Sequence, residues 1–188
     1  MRVAAEFRKE MDRARDLGEL TRIVRRAARK VTGAQGATFV LREDRNCFYA
    51  DEDAIAPLWK GQRFPLTACI SGWAMLHDET AIVPDIETDD RIPLESYRIT
   101  FVRSLVMVPV GSPEPVAAIG AYWSLARKAT AGEVAGLEQL ARLTATAIER
   151  IGLDNAPWAP AFGQFPDDPR HLAAIDSLAP NPRSGDLH

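Results

Sequence analysis

The chain has 188 residues, 46% of them apolar and 26% charged, with a net charge of -3. That is the composition of one ordinary globular domain, and it excludes a disordered chain, a disulfide scaffold and any general attraction to nucleic acid or anionic membrane. No apolar run approaches the roughly 18 residues a membrane span needs, and the first residues lack a signal-peptide core, so a cytoplasmic location is the expectation.

Val3, Phe7, Met11 and Ala14 recur at three-to-four spacing and predict a helix over 3–15. The segment up to residue 30 is rich in Arg and Lys, but Glu6, Glu10, Asp12, Asp16 and Glu19 are interspersed, so it reads as a solvated helix face. Asp16 followed by Glu19 is a capping-box pattern, and Leu17, Leu20, Val24, Ala27 and Val31 then form the stripe of a second helix that Gly33 ends.

From Gly36 the period changes. Residues 37–41 and 46–50 read as a hairpin around the turn at 43–46, and the irregular stretch 51–67 carries Ile55, Leu58, Trp59 and Phe64, too apolar for a loop that covers nothing. Short helices are expected over 71–77 and 94–101, with a short strand at 81–83 between them. Residues 104–110 and 116–123 are near-continuous apolar runs, the central antiparallel strands.

Thr130 and Glu133 open a long helix with one stripe through Val134, Leu137, Ala141, Thr144, Ile148 and Ile151 and another through Leu140, Leu143 and Ala147. The second stripe reads either as a homodimer seam or as surface buried within one subunit. Beyond Gly152, six prolines punctuate a polar segment, predicting residues 1–152 as the folded domain and 153–188 as a mostly flexible tail. Trp158, Phe162 and Phe165 suggest that the first part of the tail lies back on the domain, and the stretch at His171 reads as a fleeting helical turn.

This order is that of an α+β fold, a central antiparallel sheet with helices gathered on one side. The words Cys69-Ile-Ser-Gly-Trp-Ala, Ala81-Ile-Val-Pro-Asp-Ile, Val102-Arg-Ser-Leu-Val-Met-Val-Pro-Val and Ile119-Gly-Ala-Tyr-Trp resemble the GAF domain family, over about residues 16–150. The nearest resemblance is to GAF domains placed ahead of bacterial sensor histidine kinases. It implies N- and C-terminal helices on one face of the sheet, a pocket on the other under a lid of loop and short helices, and dimerisation through the terminal helices. No phosphoacceptor helix or nucleotide-binding segment follows Arg150, so output through a partner protein is expected.

A pocket needs apolar walls, a few inward polar groups and a cover that opens. Trp59, Phe64, Trp73, Tyr97 and Phe101 are the candidate walls, each equally able to fill core. Asp85 is placed to cap a turn or to accept ligand N–H groups; Arg91, Arg98 and Arg103 are placed for salt bridges or for gripping an anion. His77 reads as a C-terminal cap.

Cys47 and Cys69 are the two cysteines, and without an export signal both read as reduced thiols with neither disulfide nor metal site expected. Some GAF relatives attach a bilin through a cysteine that histidine follows, whereas Ile70 follows Cys69; the methionine sulfoxide reductases carry cysteines in the lid, and residues 85–104 hold none. Cys69 therefore reads first as a small buried hydrophobe. The leading expectation is a non-catalytic, homodimeric sensory module in bacterial signal transduction that binds an unidentified small molecule, with no nucleic acid or membrane partner and the cofactor unknown. A thiol-dependent reductase or bilin carrier using Cys69, and a pure interaction scaffold, are the other readings.

Overall fold

The computed structural model describes residues 2–153, with side chains from Phe7 onward, so Val3's side chain and the residues of the expected tail, Trp158, Phe162, Phe165 and His171 included, lie outside the described residues. Two helices come first, α1 (Arg2–Arg13) and α2 (Leu17–Thr32). Asp16 is extended and its carboxylate accepts the Glu19 N–H at 2.8 Å, while Gly33, at φ +64°, ends α2 by donating its N–H to Arg29 O. The reciprocal half of the capping box is missing: the Glu19 carboxylate takes the Arg15 N–H at 3.0 Å and its guanidinium at 2.9 Å instead. The long helix α5, whose number counts the two short helices described below, spans Ala131–Ile151 and opens on the complete box between Thr130 and Glu133.

Between them lies a six-stranded antiparallel sheet. Its strands β1 (Gly36–Glu43), β2 (Asn46–Ala54), β3 (Arg63–Pro65), β4 (Ala81–Val83), β5 (Ser104–Val110) and β6 (Ala117–Trp123) are ordered β3-β2-β1-β6-β5-β4. Strand β2 runs four residues beyond its expected end, through Asp51, Glu52 and Asp53. Acidic residues are poor strand formers, but here Asp51 meets Arg25 at 2.7 Å and Asp53 meets Arg29 at 2.6 Å, both from α2. Strand β3 is too short to show a period in the sequence; it exists because Phe64 pairs with Cys47.

A bulge positions the site. Val40 pairs with Tyr49 but Phe39 pairs with Asp51, leaving Ala50 as the extra residue. Thr38 and Val40, two apart on β1, share a face, so Glu52 and Tyr49, three apart on β2, come to share it as well.

Helices α2 and α5 cover one face of the sheet, over Phe39, Phe48, Val106, Ile119 and Trp123, and α1 packs against both helices. Both stripes of α5 are used within the subunit: Leu140 and Ala147 are each only 5% exposed, and Phe7 of α1 packs beside Leu140 and Leu143. Of the two readings of that stripe, the structure gives the intramolecular one. The other face is covered by the loop 55–62, a single 3-10 turn (Leu66–Ala68), α3 (Ile70–His77) and α4 (Leu94–Tyr97). The expected helix over 94–101 stops early because both the amide and the hydroxyl of Thr100 donate to Tyr97 O, at 2.9 and 2.8 Å.

Helix α3 sits tight against the 3-10 turn, where a Cβ on Gly72 would lie 1.8 Å from Leu66 O. Backbone cannot yield as a side chain can, so Gly72→Ala is expected to destabilise the fold by at least the usual overpacking cost of about 1–3 kcal/mol, read from the midpoint of chemical denaturation.

Candidate ligand site beneath the lid

Strands β1, β2, β5 and β6 present Val40, Cys47, Tyr49, Leu105, Met107, Ala118 and Tyr122 toward the lid. Tyr122 lies back along its own strand, over Gly120, to place its hydroxyl 2.8 Å from Thr38 Oγ1; a Cβ on Gly120 would stand 2.4 Å from that phenol oxygen.

The indole of Trp59 fills the space between sheet and lid. Its ring centroid lies 4.7 Å from that of Tyr97, 5.6 Å from Tyr49 and 5.7 Å from Tyr122, each edge-to-face, and Phe64 closes on Tyr49 at 5.5 Å. Trp59 and Tyr97 are 3% and 4% exposed. The cavity that remains, lined by Tyr49, Trp59, Phe64, Cys69, Ser96 and Tyr97 among others, leaves about 10 Å³ open to a water molecule, room for one water. The hollow expected on this face is filled by side chains, because a loop bearing an indole reaches it.

That loop is tied chiefly to β2. The carboxylate of Glu52, on the lid face because of the bulge, accepts the N–H groups of Leu58, Trp59 and Lys60 at 2.9, 2.9 and 2.8 Å. The Lys60 ammonium meets Asp51 at 2.7 Å, and the Trp59 indole N–H donates to Ser96 O at 3.1 Å. Gly61, at φ +84°, turns the chain back so that its N–H reaches Tyr49 O.

The residues singled out from sequence divide into two groups. Trp59, Phe64, Cys69 and Tyr97 line the remaining cavity. Trp73 does not: it is half-buried on the outer side of α3, stacked on His77 at 4.6 Å with the Arg91 guanidinium 4.5 Å from its ring. His77 Nδ1–H donates to Trp73 O at 2.8 Å, a capping contact. Asp85 accepts the Glu87 N–H at 3.0 Å and so caps its turn. Arg91 pairs with Asp89 and Arg98 with Glu95, both at 2.6 Å, and Arg103 lies 3.5 Å from Glu87, leaving none of the three aimed into the cavity. Phe101 is half-buried and packs over Gly36 at the edge of the lid-side core, outside the lining of the remaining cavity.

Reading the sequence missed Tyr49, Tyr122, Glu52, Ser71 and Cys47. Alternation along β2 would have put Cys47 and Tyr49 on one face, but the side facing the lid is set by the partner strand. Cys47 Sγ lies 3.2 Å from Cys69 Sγ. Cys69 Sγ is 3.3 Å from the Ser71 hydroxyl, which is 3.0 Å from the Tyr49 hydroxyl. Both cysteines are free and buried.

When the pair loses one proton, the other stays on Cys47. The Cys47 thiol, the Ser71 hydroxyl and the N–H groups of Gly72 and Ser71 at the start of α3 all stabilise a Cys69 thiolate, bringing that thiol down to about 7. Cys47 is pushed far up, because it is the donor to Cys69 and is buried. Burial raises the phenols of Tyr49, Tyr97 and Tyr122, which stay neutral. No cluster of three or more His, Cys, Asp or Glu suited to a metal occurs among the described residues.

The chain belongs to the GAF domain family, whose model matches residues 14–149. GAF domains are small-molecule-binding signalling domains, and the curled six-stranded sheet with its helices is their fold. No curated protein sequence matches the chain. Among solved structures it is similar to free methionine-R-sulfoxide reductase from Neisseria meningitidis (17% identity, TM-score 0.68, covering 79% of this chain and 87% of that one). It is also similar to the GAF domain of a phosphoenolpyruvate-protein phosphotransferase from Coxiella burnetii (13%, TM-score 0.70, 79% and 92%). A third is the chromophore-binding domain of an unusual bacteriophytochrome from R. palustris (15%, TM-score 0.67, 80% and 60%). At these identities the likeness is one of fold.

Two measurements check this geometry. Glu52→Ala removes the acceptor of three loop amides, so hydrogen exchange at Leu58, Trp59 and Lys60 is expected to accelerate while exchange in β5 and β6 stays slow. A thiolate absorbs in the ultraviolet where a thiol does not, so the thiolate absorbance of the folded chain is expected to rise with pH through a midpoint near 7 with the amplitude of one cysteine, Cys47 staying protonated. An amplitude of two cysteines at that midpoint would contradict the asymmetry.

Proposed function

We propose that this GAF domain is a non-catalytic sensory module whose ligand takes the place now filled by the indole of Trp59. The observation that carries the reading is that Trp59, at the centre of the aromatic cage, belongs to no helix or strand; it rides on a loop tied to β2 through Glu52, Asp51 and the Tyr49 backbone, and to α4 by a single indole hydrogen bond. A plug of that kind can swing out without unpairing the sheet.

The cage defines what would replace it. Three edge-to-face rings and the carbonyl of Ser96 suit a planar aromatic heterocycle bearing an N–H. Each ring contact contributes about 0.5–1.5 kcal/mol beyond burial, so over three contacts the ligand must recover roughly 1.5–4.5 kcal/mol before it binds at all. The site residues in this reading are Trp59, Phe64, Cys69 and Tyr97, joined by Tyr49 and Tyr122.

In the same proposal the module acts in the bacterial cytoplasm, as a homodimer through faces of its terminal helices other than the stripe that α1 covers, and passes its signal to a partner protein through the layer of α1, α2 and α5. Within that layer the Arg150 guanidinium donates to Met11 O at 2.9 Å, so α1 and α5 would move together. The membrane enters nowhere in this reading; no described helix is long and apolar enough to cross one. The carrier and reductase readings rank below this one because Ile70 rather than a histidine follows Cys69 and residues 85–104 hold no cysteine.

Trp59→Ala is expected to lose about 3–5 kcal/mol of stability, the usual cost of deleting a buried aromatic. Free indole should restore part of that loss in the variant, and planar N–H heterocycles should raise the melting temperature of the wild-type chain while shifting its Trp59 emission to the red, a shift absent from Trp59→Phe. No stabilisation of either protein by any such probe at millimolar concentration would overturn the ligand reading.

A further inference from the structure

Two thiols 22 residues apart in sequence meet under the lid, and the ligand reading uses only Cys69, as a wall of the cavity, and neither thiol for its chemistry. Cys47 sits on β2 and Cys69 immediately before α3, with sulfur atoms 3.2 Å apart. That is inside the sum of two sulfur radii and about an ångström from a disulfide bond of roughly 2.05 Å. Two buried cysteines that merely filled space would have apolar neighbours; Cys69 instead has the Ser71 hydroxyl at 3.3 Å and the Pro65 carbonyl at 3.6 Å.

Access decides which oxidant applies. Cys47 is 0% exposed and Cys69 is 8% exposed, and Cys69 lines the small cavity beside Trp59. About 10 Å³ holds one water-sized solute; a sulfoxide side chain or an organic disulfide does not fit. Hydrogen peroxide, with two heavy atoms, is the smallest two-electron oxidant of thiols, and a slight opening of the loop admits it.

We propose that Cys47 and Cys69 are a modification site for hydrogen peroxide, Cys69 being the residue attacked and Cys47 the residue that resolves the product into an intramolecular disulfide. In the first step the Cys69 thiolate attacks one peroxide oxygen, the O–O bond breaks, and hydroxide leaves to take up the proton Cys69 had released; Cys69 is oxidised by two electrons to a sulfenic acid and one water forms. In the second step Cys47 sulfur attacks Cys69 sulfur, the S–O bond breaks, and the hydroxyl departs as a second water with the Cys47 proton. The sum is two thiols and one hydrogen peroxide giving one disulfide and two waters. The Ser71–Tyr49 hydroxyl pair stands beside the sulfur being attacked and supplies hydrogen bonds to the leaving oxygen.

The bond would tie β2 to the start of α3. It rests on neither the identity of a ligand nor the displacement of Trp59, so its failure leaves the ligand reading untouched.

The test uses the full chain, reduced and then exposed to near-stoichiometric hydrogen peroxide, with intact mass and peptide mapping as readouts. The expected result is a loss of two hydrogen masses, one Cys47–Cys69 linked peptide, reversal by dithiothreitol, and reaction at least ten-fold faster in the folded chain than in the same chain unfolded in urea. Cys47→Ser should stop at a sulfenic acid, read as a gain of one oxygen mass on the peptide that carries Cys69, and Cys69→Ser should leave Cys47 unreactive. Two free thiols after treatment, or only intermolecular disulfides, would overturn the site; oxidation of Cys47 in Cys69→Ser would overturn the assigned roles. Should Cys47→Ser fail to fold, the mass and mapping of the wild-type chain decide the matter alone.

Discussion

A sheet that is apolar on both faces must be covered on both, and here the second cover is anchored by one ring. The helical layer buries one side with a core of aliphatic side chains interleaved with Phe7, Phe39, Phe48 and Trp123. On the other side α3 reaches Tyr49 through Ser71, and α4 is a single turn, so the indole of Trp59 fills what they leave. Its three edge-to-face contacts join sheet, loop and α4 into one core. The arrangement of lid, cavity and buried thiols follows from where that ring sits.

Strand β2 links the two covers by charge. Asp51 and Asp53 meet Arg25 and Arg29 of α2, while Glu52 between them gathers three loop amides on the opposite side. The bulge at Ala50 makes this possible, because without it Tyr49 and Glu52 would face opposite sides of the sheet. A change in the loop therefore acts on the same strand that α2 grips, which gives the domain a short physical connection between its lid and its helical layer.

The site was legible only in part, and the division has a cause. Trp59, Phe64 and Tyr97 stood out because large rings in irregular, short-element segments must cover something. Trp73 and Phe101 stood out for the same reason, Asp85 and Arg98 as polar groups able to meet a ligand, and all four have other work: a stack on His77, packing over Gly36, a turn cap and an exposed ion pair. Chemistry at a residue depends on the direction its side chain takes, and residue type at a given spacing leaves that direction open. Cys69 illustrates the point, since its surroundings are those of a buried small residue until β2 brings Cys47 to it.

The residues by themselves determined the helices, through stripes at three-to-four spacing and caps at Asp16, Gly33 and Thr130, and the central strands, through apolar runs long enough to be buried on both faces. They determined the family as well, because its words are turn and strand features repeated at set separations. Only tertiary structure decided that Asp51–Asp53 form strand, that α1 covers the second stripe of α5, that Trp59 fills the site and that two thiols meet. Each of those rests on contacts between segments far apart in sequence, where local propensity and periodicity carry no information about the partner.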